Sequence, residues 1–185
     1  MTRPHLGYLL FDLPSDHEVE AGISTESMVI QSIIHNRDSQ AVVKRICVAS
    51  VGKMKKCPTY KYNVQFVHLA CHGGRRGIAM LGGSMAWGDA ISQIKKYLNP
   101  LVGDEQRVIA FSCCHSCDGL SATRQDLTGY FTGAYYFRTK TISFARAITI
   151  WSMFYLKKGT SRPHSPIVQA INGFIGKDVL AFTNI

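Results

Sequence analysis

Apolar residues recur along this chain in two rhythms, and each predicts a different element. Short, nearly unbroken runs predict strands at His5 to Phe11, Val42 to Val51, Val64 to Cys71, Arg107 to Cys113 and Gly129 to Phe137, with a last strand at Val179 to Thr183. The Val64 to Cys71 run is almost wholly apolar, which predicts burial on both faces, as in a parallel sheet covered by helices. A helical rhythm appears in Thr25 to Asn36, where Met28, Ile30, Ile33 and Ile34 are apolar, and again in Trp87 to Leu98. In the latter, Trp87, Ile91, Ile94 and Leu98 share a face opposite Gln93, Lys95 and Lys96. Phe144 to Lys157 and Ser165 to Ile175 predict two more helices, stopped by Gly159 and Gly176. Trp87 and Trp151 read as core residues on their helices. Gly73, Gly74, Gly77, Gly82 and Gly83 leave only Ile78 to Leu81 as one arm of a small hairpin. The order β-α-β-β-α-β-α-β-α-α-β predicts an α/β sandwich with a mostly parallel sheet, whose ligands bind past the carboxyl ends of the strands.

Composition narrows this picture. A chain of 185 residues, 46% hydrophobic and 18% charged, suits one domain spanning residues 1–185, and no repeat or low-complexity tract divides it. The apolar patch near the N-terminus meets Asp12 without a cleavage pattern, so export is not expected. Ile142 to Leu156 contains Arg146 and is shorter than the roughly twenty residues that span a bilayer, so a buried helix is expected and a membrane partner is not. Of Cys47, Cys57, Cys71, Cys113, Cys114 and Cys117, four fall in or at the ends of predicted buried strands; free thiols and a cytoplasmic location are expected. The net charge of +9 comes from small, scattered groups such as Lys53/Lys55/Lys56/Lys61, Lys95/Lys96 and Lys157/Lys158. A solvated or partner-facing basic surface fits this better than nucleic acid as the main ligand.

The candidate chemistry lies where two strands stop. Phe66-Val67-His68-Leu69-Ala70-Cys71 runs into His72-Gly73-Gly74, and Val108-Ile109-Ala110-Phe111-Ser112-Cys113 runs into Cys114-His115. Residues just past neighbouring parallel strands converge on one sheet edge, so His72 and Cys114 form a candidate base and nucleophile. Gly73 permits a sharp turn and close approach of a substrate carbonyl, making its N–H and that of Cys114 candidate oxyanion donors. Cys113 is expected on the opposite face from Cys114, and Cys71 as a core thiol.

These blocks resemble the caspase-like clan of cysteine peptidases, nearest the bacterial CHAT and separase-like branch. Val67-His68-Leu69-Ala70-Cys71-His72-Gly73 is similar to its apolar-His-x-Ala-Cys-His-Gly block, and Phe111-Ser112-Cys113-Cys114 to apolar-Ser-Ala-Cys, with Cys113 replacing alanine. Gly133-Ala134-Tyr135-Tyr136 resembles the strand after the cysteine, and Phe154-Tyr155-Leu156-Lys157-Lys158-Gly159 a helix end one residue shorter than the family's. The likeness spans residues 64–175. It implies a caspase-like three-layer α/β/α sandwich and an endopeptidase with His72 as proton shuttle and Cys114 as nucleophile. It also implies no cofactor, a protein substrate, control by a regulatory partner or oligomer, and a role in bacterial defence or programmed death. Relatives of the separase-like kind place an acid after the strand that follows the nucleophile. Arg138 and Lys140 stand there instead, so a basic residue before the scissile bond is disfavoured unless Asp118 or Asp126 enters the pocket.

Three other readings compete. Cys114 and Cys117 with Cys71 and His72 could form a zinc set, but the second Cys-x-x-Cys knuckle of a structural site is missing, and no metal is expected. A thioredoxin-like pair normally opens a helix early in a βαβ unit, and Cys114 and Cys117 are not expected to be such a pair. A catalytically silent caspase-like interaction module is the third, since fold does not guarantee activity. Arg75 and Arg76 suit either a substrate cleft or a solvated loop.

Overall fold

The computed structural model describes residues 7–14, 26–48, 50–56, 58, 60–157 and 163–185. Eight strands are described: β1 (Gly7–Leu13), β2 (Val42–Cys47), β3 (Phe66–Gly74), β4 (Gly77–Met80), β5 (Gly83–Ala86), β6 (Val108–Ser112), β7 (Gly133–Phe137) and β8 (Leu180–Asn184). The helices are α1 (Glu26–Arg37), α2 (Val51–Met54), α3 (Trp87–Lys95), α4 (Ser116–Leu127), α5 (Phe144–Lys157) and α6 (His164–Ile175). The central sheet runs β2-β1-β3-β6-β7-β8, parallel except for β8 against β7. This is the three-layer, mostly parallel α/β/α architecture that the hydrophobic pattern predicts.

Alternation along each strand separates two cores. Leu9, Phe11 and Leu13 of β1, with Val67, Leu69, Ile109 and Phe111, face α3 and α4. Tyr8 and Leu10, with Phe66, Ala110, Tyr135 and Phe137, face α1, α5 and α6. The helices answer in register: Ile91 and Ile94 on α3, Ile30 and Ile34 on α1, and Ile150, Trp151 and Phe154 on α5 are all buried. Strand order also sets the site. From β1 the chain moves outward to β2 and then returns to β3 on the other side, so the sheet reverses direction of growth between β1 and β3. A crevice at the carboxyl ends of strands flanking such a switch is the usual ligand site of an open α/β sheet.

Several boundaries differ from the expected ones. The second strand stops at Cys47 rather than Val51, because the Ser50 side chain accepts the Lys53 N–H and caps the short helix α2. The fifth strand starts at Gly133 rather than Gly129, residues 128–130 being a turn after α4. The third strand overshoots to Gly74 and pairs antiparallel with β4, so the hairpin has two full arms. The second predicted helix ends at Lys95, not Leu98. His5, Thr25, Cys57, Lys158 and Gly159 lie outside the described residues.

Candidate active site

Three parallel strands, β1, β3 and β6, end side by side. Their last register partners include Leu13↔Cys71 and Ala70↔Ser112, so two residues beyond the latter pair bring the chain to His72 on one side and Cys114 on the other. The two chain segments nearly touch. A Cβ on residue 73 would lie 1.9 Å from the Cys114 carbonyl oxygen and 3.2 Å from the Cys113 Cβ, so this position accepts only glycine. His72 and Cys114 line one cavity of about 80 Å³ at the carboxyl edge of the sheet. His72 is exposed, held in register with Ala79 by the β3–β4 ribbon.

Cys114 sits at a strand-to-helix turn. The next residue, His115, has φ 54°, the one positive φ at a non-glycine residue among those described, and forms the N-cap position of α4. Left-handed backbone is costly for a residue with a Cβ and concentrates where a fold aims a functional side chain. Here it is held from two sides: His115 Nδ1 lies 2.8 Å from Asp118 Oδ2, and its N–H donates to the Lys140 carbonyl at 2.8 Å. The Cys114 thiol itself donates to the Ile142 carbonyl at 3.5 Å and accepts the Ile142 N–H at 3.4 Å.

Carboxylates form the cavity's far wall. Asp12, at the end of β1, is 4% exposed; it accepts the Ser27 N–H at 3.3 Å and the Ser27 hydroxyl, and pairs with Arg45 at 3.5 Å. Glu26, in the first turn of α1 and also 4% exposed, meets His68 Nε2 at 2.8 Å. His68 is completely buried, with Tyr155 Oη 3.2 Å from its Nδ1 and the Trp151 ring edge-on. Ser112 lines the same cavity, and its hydroxyl is buried with no hydrogen-bond partner. This wall thus offers a partnerless hydroxyl beside two carboxylates that already hold partners, Arg45 for Asp12 and His68 for Glu26.

The expected specificity residues lie elsewhere. Arg138 is exposed and pairs with Asp178 at 3.0 Å, Lys140 is exposed, and Asp118 is engaged with His115; none of the three lines the cavity, and Asp126 is exposed on α4. Arg75 and Arg76 are exposed at the turn of the β3–β4 ribbon. Cys113 lies one residue beyond β6 rather than within it. It is buried in the core facing α3 and α4, and burial, reinforced by the adjacent Cys71 thiol, pushes its pKa well above the ordinary value. Cys71, expected in the core, is only partly buried and reaches the cavity wall. Cys117 is in the first turn of α4, so Cys114 and Cys117 do flank the start of a helix in a βαβ unit, against expectation; among the described residues no group of three His, Cys, Asp or Glu side chains is placed to hold a metal ion.

Sequence reasoning passed over Asp12, Glu26, Ser112 and Ile142 as site residues. Asp12 carried a readable signal, an acid closing a fully apolar strand; Glu26 looks like an ordinary first-turn helix acid until its burial is known. Among the described residues no helix is long and apolar enough to cross a membrane. No protein-family model matches the chain, and no curated protein matches it in sequence.

Proposed function

We propose that the protein is a caspase-like cysteine endopeptidase working through His72 and Cys114. The observation that carries this reading is the convergence of the two side chains on one cavity at the carboxyl edge of a parallel sheet, with Gly73 packed against the Cys114 backbone. The thiolate of Cys114 attacks the scissile carbonyl carbon, and the backbone N–H groups of Gly73 and Cys114 are the proposed donors to the oxyanion. His72 gives a proton to the leaving amine, and a thioester remains. Water then attacks the thioester, His72 takes the proton, and the peptide acid and free thiol are regenerated.

The cavity wall bears on the substrate. Asp12 and Glu26, with the Ser112 hydroxyl, favour a basic residue before the scissile bond, reversing the preference expected from Arg138 and Lys140. The described cysteines are unpaired, in keeping with action in a reducing cytoplasm. Incubation with a peptide library, read by mass spectrometry, tests the proposal. Cleavage after Lys or Arg is expected, falling at least about 10³-fold in Cys114→Ala and in His72→Ala. Cleavage that survives Cys114→Ala overturns the nucleophile. The absence of any cleavage by the wild type, with or without added partner proteins, turns the reading toward a binding module.

A further inference from the structure

We infer that residues 138–143, the connection from β7 to α5, form a lid that holds Cys114 as a resting, hydrogen-bonded thiol and must lift before the sulfur can react; this rests on the reading of Cys114 as the nucleophile. The central observation is that one residue commits both of its backbone groups to one sulfur. Ile142 donates its N–H to Sγ at 3.4 Å and accepts the S–H at its carbonyl at 3.5 Å. The attacking species is the thiolate. A thiol whose proton is directed into a lid carbonyl has neither passed it to His72 nor cleared a path for a substrate carbonyl, which must come within about 3–3.5 Å of the sulfur.

The segment is built to move. It lies outside helix and strand, and Arg138, Lys140, Thr141 and Ser143 are exposed. Its ends are hinged: the Arg138 N–H donates to the Val179 carbonyl at 2.7 Å, and the Ser143 carbonyl accepts from Ala147 N–H at the start of α5. Between the hinges, polar contacts tie the segment to the Cys114 sulfur, through Ile142, and to the His115 N–H, through the Lys140 carbonyl. The closed state also leaves the Thr139 hydroxyl buried with no hydrogen-bond partner. Lifting the segment gives that hydroxyl to water, so closure is weakly held. Ile142 and Phe144 line the same cavity as Asp12 and Glu26, so the movement that frees the sulfur also opens the pocket beside it.

Native-state alkylation tests this without a substrate. The folded protein is treated with iodoacetamide, and modification of each cysteine is followed by peptide mass spectrometry, with exposed Cys47 as the internal reference. The reaction rate at Cys114 scales with the fraction of molecules whose lid is open, so inserting two glycines between Thr141 and Ile142 is expected to raise it about tenfold or more relative to Cys47. Ile142→Pro, which removes the N–H donor without lengthening the chain, should act in the same direction. Circular dichroism confirms that each variant is folded. Equal Cys114 rates in the wild type and whichever variants fold overturn the lid. Acceleration without peptide cleavage by any form keeps the lid and removes the peptidase; cleavage with no acceleration does the reverse.

Discussion

The two faces of the central sheet are packed by different chemistries. Toward α3 and α4 the interior is aliphatic and aromatic, with Leu9, Phe11, Leu69, Ile109 and Phe111 against Ile91, Ile94, Leu120 and Leu127. Toward α1 and α5, the same strands bury His68 and Asp12 beside Glu26 and Ser27, within reach of tyrosine hydroxyls. Two sets of polar contacts cross that layer, meeting at Tyr155. Arg37 donates to Tyr8 Oη at 2.8 Å and to the Tyr155 carbonyl at 2.7 Å, Tyr155 Oη meets His68, and His68 meets Glu26 at the cavity. Burial pushes the Tyr155 and Tyr8 pKa values up, with Arg37 pulling Tyr8 partly back. Buried polar groups need partners, and on this face the partners lead to the proposed site.

The contrast can be broken by mutation. The largest effect is expected on the apolar face: Phe111→Ala removes a fully buried ring and should cost about 3–5 kcal/mol in urea unfolding. His68→Leu should cost about 2–3 kcal/mol by leaving the Glu26 carboxylate buried without its partner. The paired change His68→Leu with Glu26→Leu should recover most of that loss, and failure to recover it would show that the polar contacts act as a unit. Gly119→Ala places a methyl 2.8 Å from the Trp87 ring, where α4 crosses α3, and should cost about 1–3 kcal/mol.

A pH series sharpens the comparison from the apolar side. The folded-state pKa of Cys113 lies above its ordinary 9.0, so its contribution to stability is intact below pH 9 and is lost as pH rises beyond it. Wild-type unfolding free energy should therefore fall more steeply above pH 9 than that of Cys113→Ala. The smallest effect is expected at the surface: Arg138→Ala breaks an exposed ion pair and should change stability by less than about 1 kcal/mol.

Much of the fold was legible because buried parallel strands carry an apolar signal that survives without context. Val67, Leu69, Ile109 and Phe111 advertise themselves, and the places where two such runs stop mark His72 and Cys114. Boundaries were harder wherever a tertiary partner decides them: Ser50 begins a helical turn by capping it, and β3 continues past His72 because β4 folds back onto it. The pocket was least legible. Asp12, Glu26 and Ile142 reach it from separate segments, and no local pattern says that a helix acid such as Glu26 is buried whereas Arg138 and Lys140 are exposed.

The dispersal of the cavity wall has a kinetic consequence. Its parts come from β1, the start of α1, the ends of β3 and β6, and the lead into α5, ending with Ala147. Contacts so distant in sequence form late and cooperatively, because each closes a long loop before it gains any stabilising contact. A chain still emerging from the ribosome therefore carries His72 and Cys114 as two unrelated side chains. The cavity wall is complete only once the chain has reached Ala147, so topology alone keeps the proposed dyad without its full pocket until then.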